Sequence, residues 1–325
     1  MTVPYRKKSS VNVRAFWLLF VILVLPFQRS NQDLLQALVD DPSPTADFLA
    51  FHRTGPASAE MRTSICRFRH PDSGQLVSLV GAVHIGEKAY YQQIQAELDR
   101  HDLVLYELVG GPAPGSPEAK NDAAHQRDDQ PSRLGFIQDL QQGMQSILQL
   151  QHQMDGIDYT RNNLRHADLD ADQFASALAE NGLFNINPAA LMKGLGPALL
   201  DGIGLQAALM SQDENAVNRV RWMMGKMMAE STSQMAMLGV ENIEKPEDLI
   251  LGIRNDQVWK VLHRSLPEGW RRIAIFYGAA HLPDFRRRLL EEGWIFEELK
   301  WISAWKIPVN KIENELISVT REARL

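Results

Sequence analysis

Two apolar runs dominate the pattern of the chain, and both end the same way. "QLVSLVGAVHIG" covers 75–86 and "RRIAIFYGAAHLP" covers 271–283. Each stays apolar on consecutive positions instead of alternating. That is the pattern of a strand buried on both faces, as in the centre of an α/β sheet. Each then closes on Gly-x-x-His: Gly81 to His84, and Gly278 to His281. A third run, "DLVLYELV" at 102–109, is also strand-like and contains Glu107. Between the first and the third, "GEKAYYQQIQAELDR" at 86–100 places Ala89, Tyr90, Ile94 and Leu98 at near-helical spacing. Strand, helix, strand over about forty residues is a βαβ unit with a right-handed crossover.

The flanking segments complete the outline. "RTSICRFRH" at 62–70 alternates and leads through the turn "PDSG" into the first run, which predicts a hairpin. Residues 31–61, with "DPSPTAD" and "RTGPASAE", read as a linker. Residues 110–132 are rich in Gly, Pro and charge, the composition of a long loop that is either disordered or functional, such as a lid. An amphipathic helix is expected over 133–154 and a short strand at "GIDYT", 156–160. Asp168 or Asp170 then caps a helix to about Asn181. Residues 186–240 look helical with breaks, and the methionines of "MMGKMM" at 223–228 read as core packing of an amphipathic helix. A helix follows from about Pro246 to Leu266. After the second run come a helix over 283–293, with Pro283 in its first turn, and one or two closing strands over 294–307. The expected fold is therefore α/β. A mixed, largely parallel central sheet is flanked by helices, in a single domain over 62–307 with a helical insertion at about 133–266 and a C-terminal tail at 308–325.

Composition narrows the function. The chain has 325 residues, 45% hydrophobic and 23% charged, with a net charge of −6, so nothing marks a nucleic-acid binder. Its single cysteine, Cys66, permits neither an internal disulfide nor a Cys-rich metal site. Any metal would sit on His, Asp and Glu, which suits Zn, Mn, Fe or Co. At the N-terminus, Arg6, Lys7, Lys8 and Arg14 precede the uncharged "AFWLLFVILVLPF" at 15–27. That is the pattern of an export signal over residues 1–30, retained as a membrane tether because no small-x-small cleavage site follows. The expected location is extracytoplasmic, secreted or membrane-anchored.

Chemistry concentrates at the strand ends. Ligands of open α/β sheets bind outside the carboxyl ends of the strands, where His84, Glu107 and His281 all fall. Two imidazoles and a carboxylate make a common divalent-metal site. A strand-end histidine by itself is more often structural, but the repeated motif together with Glu107 argues for a site. "RND" at 254–256 is a second candidate. Arg254 either lies on a solvated helix face, orients Glu107, or binds a substrate carbonyl or carboxylate. His166 reads as structural, and His52, His70, His101, His125, His152 and His263 receive no role. No Gly-x-Ser-x-Gly elbow, P-loop or dinucleotide fingerprint is present, which removes the usual serine-hydrolase and nucleotide readings.

"VGAVHIG…LVLYELV" together with "IAIFYGAAHLPDF" resembles the TraB/PrgY/Tiki family, within the erythromycin esterase/ChaN-like superfamily. The resemblance covers about residues 62–305 and rests on Gly81 and His84, Glu107, Arg254 and Asn255, and Gly278 and His281. It implies a mixed α/β sheet between helices. For some Tiki members it implies a membrane-tethered metalloprotease using Mn or Co; other members bind peptides, haem or iron. The chain departs from the family in having "GIRND" where an acidic Glu-Arg-Asp helix motif would stand. The leading expectation is a metal-dependent peptidase with a peptide or protein substrate. His84, His281 and Glu107 would hold Mn, Co or Zn, Glu107 serving as ligand or general base. Arg254 would steady the substrate oxygen, and Asn255 would bind substrate. The alternatives are a non-catalytic protein that sequesters a peptide or an iron-bearing ligand, and a scaffold with hydrogen-bonded histidines.

Overall fold

The computed structural model describes residues 48–55, 58–121, 148–180 and 246–308, with helical positions between 214 and 229. The elements in chain order are β1 (Leu49–Gly55), β2 (Ser58–Arg69), β3 (Leu76–Ala82), β4 (Ile85–Gly86), α1 (Lys88–Leu98), β5 (Leu103–Tyr106), α2 (Pro117–Asn121), β6 (Gln151–His152) and α3 (Gln153–Gly156). They continue with β7 (Leu164–His166), α4 (Ala171–Glu180), α5 (Pro246–Ser265), β8 (Arg272–Gly278), a 3-10 turn (Ala279–His281), α6 (Leu282–Glu291) and β9 (Ile295–Pro308).

The fold is α/β with a mixed sheet. Its strand order is β1-β2-β3-β8-β5-β7, and β9 pairs with β2. The pairs β3–β8, β8–β5 and β5–β7 are parallel. The pairs of β2 with β1, β3 and β9 are antiparallel. The two apolar runs of the sequence are thus neighbours: β3 and β8 run side by side in register, Gly81 opposite Tyr277 and Ala82 opposite Gly278. Val77, Leu79, Val80, Ile273, Ile275 and Tyr277 are all closed to solvent, as continuous apolar strands between two helical layers must be.

Several expectations need correcting. Residues 49–61 are mostly strand, not linker: β1 and the first part of β2 fill them, and Phe48, Leu49, Phe51, Ala59 and Met61 are core. Gly55 at the end of β1 pairs with Ser58 at the start of β2, so this is paired strand and not a loose entry segment. The strand expected at 156–160 is instead β7 at Leu164–His166, three residues long and paired with β5. Asp170, not Asp168, caps α4: its Oδ1 accepts from the Gln173 N–H while Gln173 Oε1 accepts from the Asp170 N–H, a reciprocal capping box. The closing segment is one strand of 14 residues. Of the expected helix at 133–154, residues 133–147 lie outside the described residues, and 148–154 hold β6 and the start of α3 instead of one helix; residues 122–132 of the expected lid also lie outside the described residues. At the described helical positions between 214 and 229, Val220, Trp222, Met224 and Met228 are buried, so the described methionines of this stretch pack as core. Phe51 sits edge-on to Trp222 at 4.8 Å.

Candidate functional site

Each of the four parallel strands delivers one polar side chain at its carboxyl end. His84 follows β3 by two residues, and Glu107 directly follows β5. His281 closes the turn after β8, and Asp168 follows β7 by two residues. The helix α5 crosses this end and adds Arg254 and Asn255.

Arg254 is the electrostatic centre. It is 1% exposed and lies between two carboxylates. Its Nη2 donates to Glu107 Oε1 at 2.5 Å and to Asp168 Oδ2 at 2.6 Å, and its Nε donates to Asp168 Oδ1 at 3.1 Å. Burial pulls its pKa down, but Asp168 and Glu107 outweigh this and hold it above the ordinary arginine value. Arg254 therefore does not lie on a solvated face; it orients Glu107. The other Glu107 oxygen, Oε2, accepts the Gly278 N–H at 2.5 Å. Burial would push the Glu107 carboxyl up. The guanidinium, the two imidazoles and the Gly278 amide together hold it well below the usual carboxylate range.

His281 is fully buried. Its Nδ1 donates to Asn255 Oδ1 at 2.5 Å, and Asn255 Nδ2 donates to Asp284 Oδ2 at 2.8 Å. Asp284 is fixed in turn by Arg287 Nη2 at 2.6 Å and Arg288 Nε at 2.8 Å. An imidazole held this way carries its proton on Nδ1 and its lone pair on Nε2. That lone pair lies 3.7 Å from Glu107 Oε1 and, among the described residues, has no hydrogen-bond partner. Burial pushes His281 down to about 3, against the pull of Glu107, so the ring is neutral across the physiological range. His84 is likewise pushed down, first by burial, with Glu107 and Gln153 opposing.

The carboxylates of Glu107 and Asp168 face the Arg254 guanidinium, and buried Asp284 faces Arg287 and Arg288, around two neutral imidazoles. The donor types and the unpartnered His281 Nε2 lone pair suit a divalent ion. An Asn255-held imidazole has the support that metal-ligating histidines ordinarily receive. Among the described residues no three His, Cys, Asp or Glu side chains stand in metal-holding geometry; His281 and Glu107 converge, and His84 is the third donor within electrostatic reach.

The predicted residues His84, Glu107, Arg254 and His281 are thus brought together. Asn255 is 3% exposed, with its amide used at both ends, so it holds His281 and is not presented to substrate. Gly81 admits backbone, not ligand: a Cβ there would stand 3.1 Å from the Ser64 carbonyl oxygen and 3.3 Å from Leu282. Gly278 contributes its N–H. Sequence reasoning missed Asp168, Asp284 and Gln153. Asp168 stands at a strand end like the others, and the misplaced strand hid it. Gln153 supports His84 through its side chain and donates to Tyr159 Oη at 2.9 Å, while its backbone N–H binds the His84 carbonyl at 2.8 Å.

Fold and site together define an α/β protein with a buried His/Glu/Arg/Asp constellation at the carboxyl ends of its parallel strands. No family model, curated protein or solved structure matches the chain. No helix among the described residues is long and apolar enough to cross a membrane, and the apolar stretch at 15–27 lies outside them.

Proposed function

We propose that the chain is an exported or membrane-tethered, metal-dependent hydrolase acting on peptides. The observation that carries this reading is the His281 Nε2 lone pair: buried, neutral, fixed from behind by Asn255, and 3.7 Å from the Glu107 carboxylate. His84, His281 and Glu107 would hold the ion, Mn, Co or Zn. Bound there, a divalent ion supplies Lewis acidity to water and to a carbonyl at neutral pH. The Arg254 pairing keeps Glu107 a carboxylate, so Glu107 serves as a ligand in preference to a proton carrier. Arg254 Nη1 is buried without an acceptor among the described residues, a donor for a substrate oxygen. The resemblance to the TraB/PrgY/Tiki family supports the same reading.

A second reading, a protein that binds a peptide or an iron-bearing ligand without turnover, draws support from enclosure: Glu107, Arg254 and His281 are at most 7% exposed. One experiment separates the two. The full chain, loaded with Mn, Co or Zn, is incubated with a peptide mixture and read by mass spectrometry, beside the His84→Ala/His281→Ala variant. Cleavage by the parent and none by the variant is expected. Metal uptake without cleavage would favour the binding reading. Equal cleavage by both would remove the hydrolase assignment.

A further inference from the structure

β9 is an edge strand of unusual length, and among the described residues it pairs with β2 alone. Its second half is covered at two points: the Glu87 N–H binds the Ala304 carbonyl at 2.9 Å, and the Glu87 carboxylate accepts the Lys306 N–H at 2.8 Å. Among the described residues its first half, from Ile295 to Ile302, has no such cover. The large apolar side chains that stand exposed among the described residues, Leu290, Ile295, Phe296 and Leu299, all belong to this half or to the end of α6 beside it. An open strand edge bordered by apolar surface is a template for another strand.

The register of β9 selects the partner. Leu299 lies opposite Cys66, Phe296 opposite Phe68 and Trp301 opposite Ser64, so these three share one face of the sheet. Glu298, opposite Arg67, and Lys300, opposite Ile65, share the other. Glu297 is an extra residue, a bulge between Phe296 and Glu298. Now let a second β9 pair antiparallel with the first about a twofold axis through Leu299. Glu298 of each copy then faces Lys300 of the other, and Leu299 meets Leu299. Counted directly, Trp301 would face Glu297; the bulge slides Phe296 into that place. Both charged pairs are of opposite sign and the apolar pairs match on one face, as a self-complementary interface requires.

We infer that the Ile295–Ile302 edge of β9 is a homodimer interface, in which two copies join their sheets antiparallel about Leu299. The interface lies across the sheet from the strand-end site and does not depend on the function assigned to it. The test uses the full chain in a mild detergent, with mass read by sedimentation equilibrium. The wild type is expected to be a dimer. Glu298→Lys sets Lys against Lys in its own dimer, and Lys300→Glu sets Glu against Glu. Each is expected to raise the dimer dissociation constant about tenfold or more. An equimolar mixture of the two variants restores both opposite-sign pairs and is expected to regain the dimer. That restoration also shows that the variants are folded. A monomeric wild type would overturn the inference. So would single variants that dimerise as well as the wild type, or a mixture that stays monomeric while both variants keep the wild-type circular-dichroism spectrum.

Discussion

Replacing Asp168 by alanine tests whether Arg254 is held from two sides. Asp168 supplies two of the three hydrogen bonds that Arg254 makes to carboxylates, at 3.1 Å and 2.6 Å, and both residues are buried. A charge-assisted hydrogen bond contributes about 1.5–3 kcal/mol. Removing one member of a buried ion pair costs about 3–5 kcal/mol, because the remaining charge stays out of water. Glu107 still binds Arg254 Nη2, which places the expected loss nearer 3 kcal/mol. Urea unfolding of Asp168→Ala at pH 7 should show this as a lower midpoint with an unchanged slope. The pairing itself is isolated by a double-mutant cycle with Arg254→Met, for which we expect a coupling of about 2 kcal/mol. A loss under about 1 kcal/mol together with a coupling near zero would mean that Asp168 does not hold Arg254.

Asn255→Leu keeps the volume but removes the acceptor behind His281 Nδ1; metal affinity should fall about 10–100-fold by titration calorimetry, with far-ultraviolet circular dichroism unchanged. Gly81→Ala forces a Cβ to within 3.1 Å of the Ser64 carbonyl oxygen and should cost about 1–3 kcal/mol in denaturant melts, with no loss expected at the open Gly252. His101 is buried and neutral, its Nδ1 on the Glu97 carbonyl at 2.9 Å and its Nε2 on the Ser78 hydroxyl at 2.8 Å, and burial pushes its pKa down. The unfolded chain therefore takes the proton first. The His101 contribution is complete above about pH 6.5 and is lost as pH falls below it, with a slope of up to about 1.4 kcal/mol per pH unit. Unfolding free energies measured from pH 7.5 to 5 should fall less steeply in His101→Gln. Cys66 is buried with its thiol pushed up to about 11, so a thiol-specific chromogenic reagent should leave it unreacted in the native protein and label it in urea.

The sheet could be read from the sequence where apolar runs are long. β3 and β8 are buried on both faces, and continuous apolar sequence is the direct imprint of that burial. The site was legible at His84, Glu107 and His281 for the same reason: polar residues closing an apolar strand need a purpose. Legibility failed where a strand is short. β7 has three residues, Leu164, Arg165 and His166, and only Leu164 is buried. No periodicity can mark so short a strand, so Asp168 looked like a helix cap. Residues 49–61 failed for another reason. Turn-forming Thr54, Gly55 and Ser58 lie in β1 and β2, which pair with each other and contain core residues, and the turn signal obscured the pairing. Burial of Arg254 was not legible either, since a charged residue on a helix reads as solvated until its partners are known, and one of those partners was Asp168.

Whether His84 and His281 hold one ion between them is decided by elemental analysis of the full chain after exposure to Mn, Co or Zn and removal of free metal, beside His84→Ala/His281→Ala. About one divalent ion per parent chain and none in the variant is expected. Equal metal in both, or none in either, would contradict it.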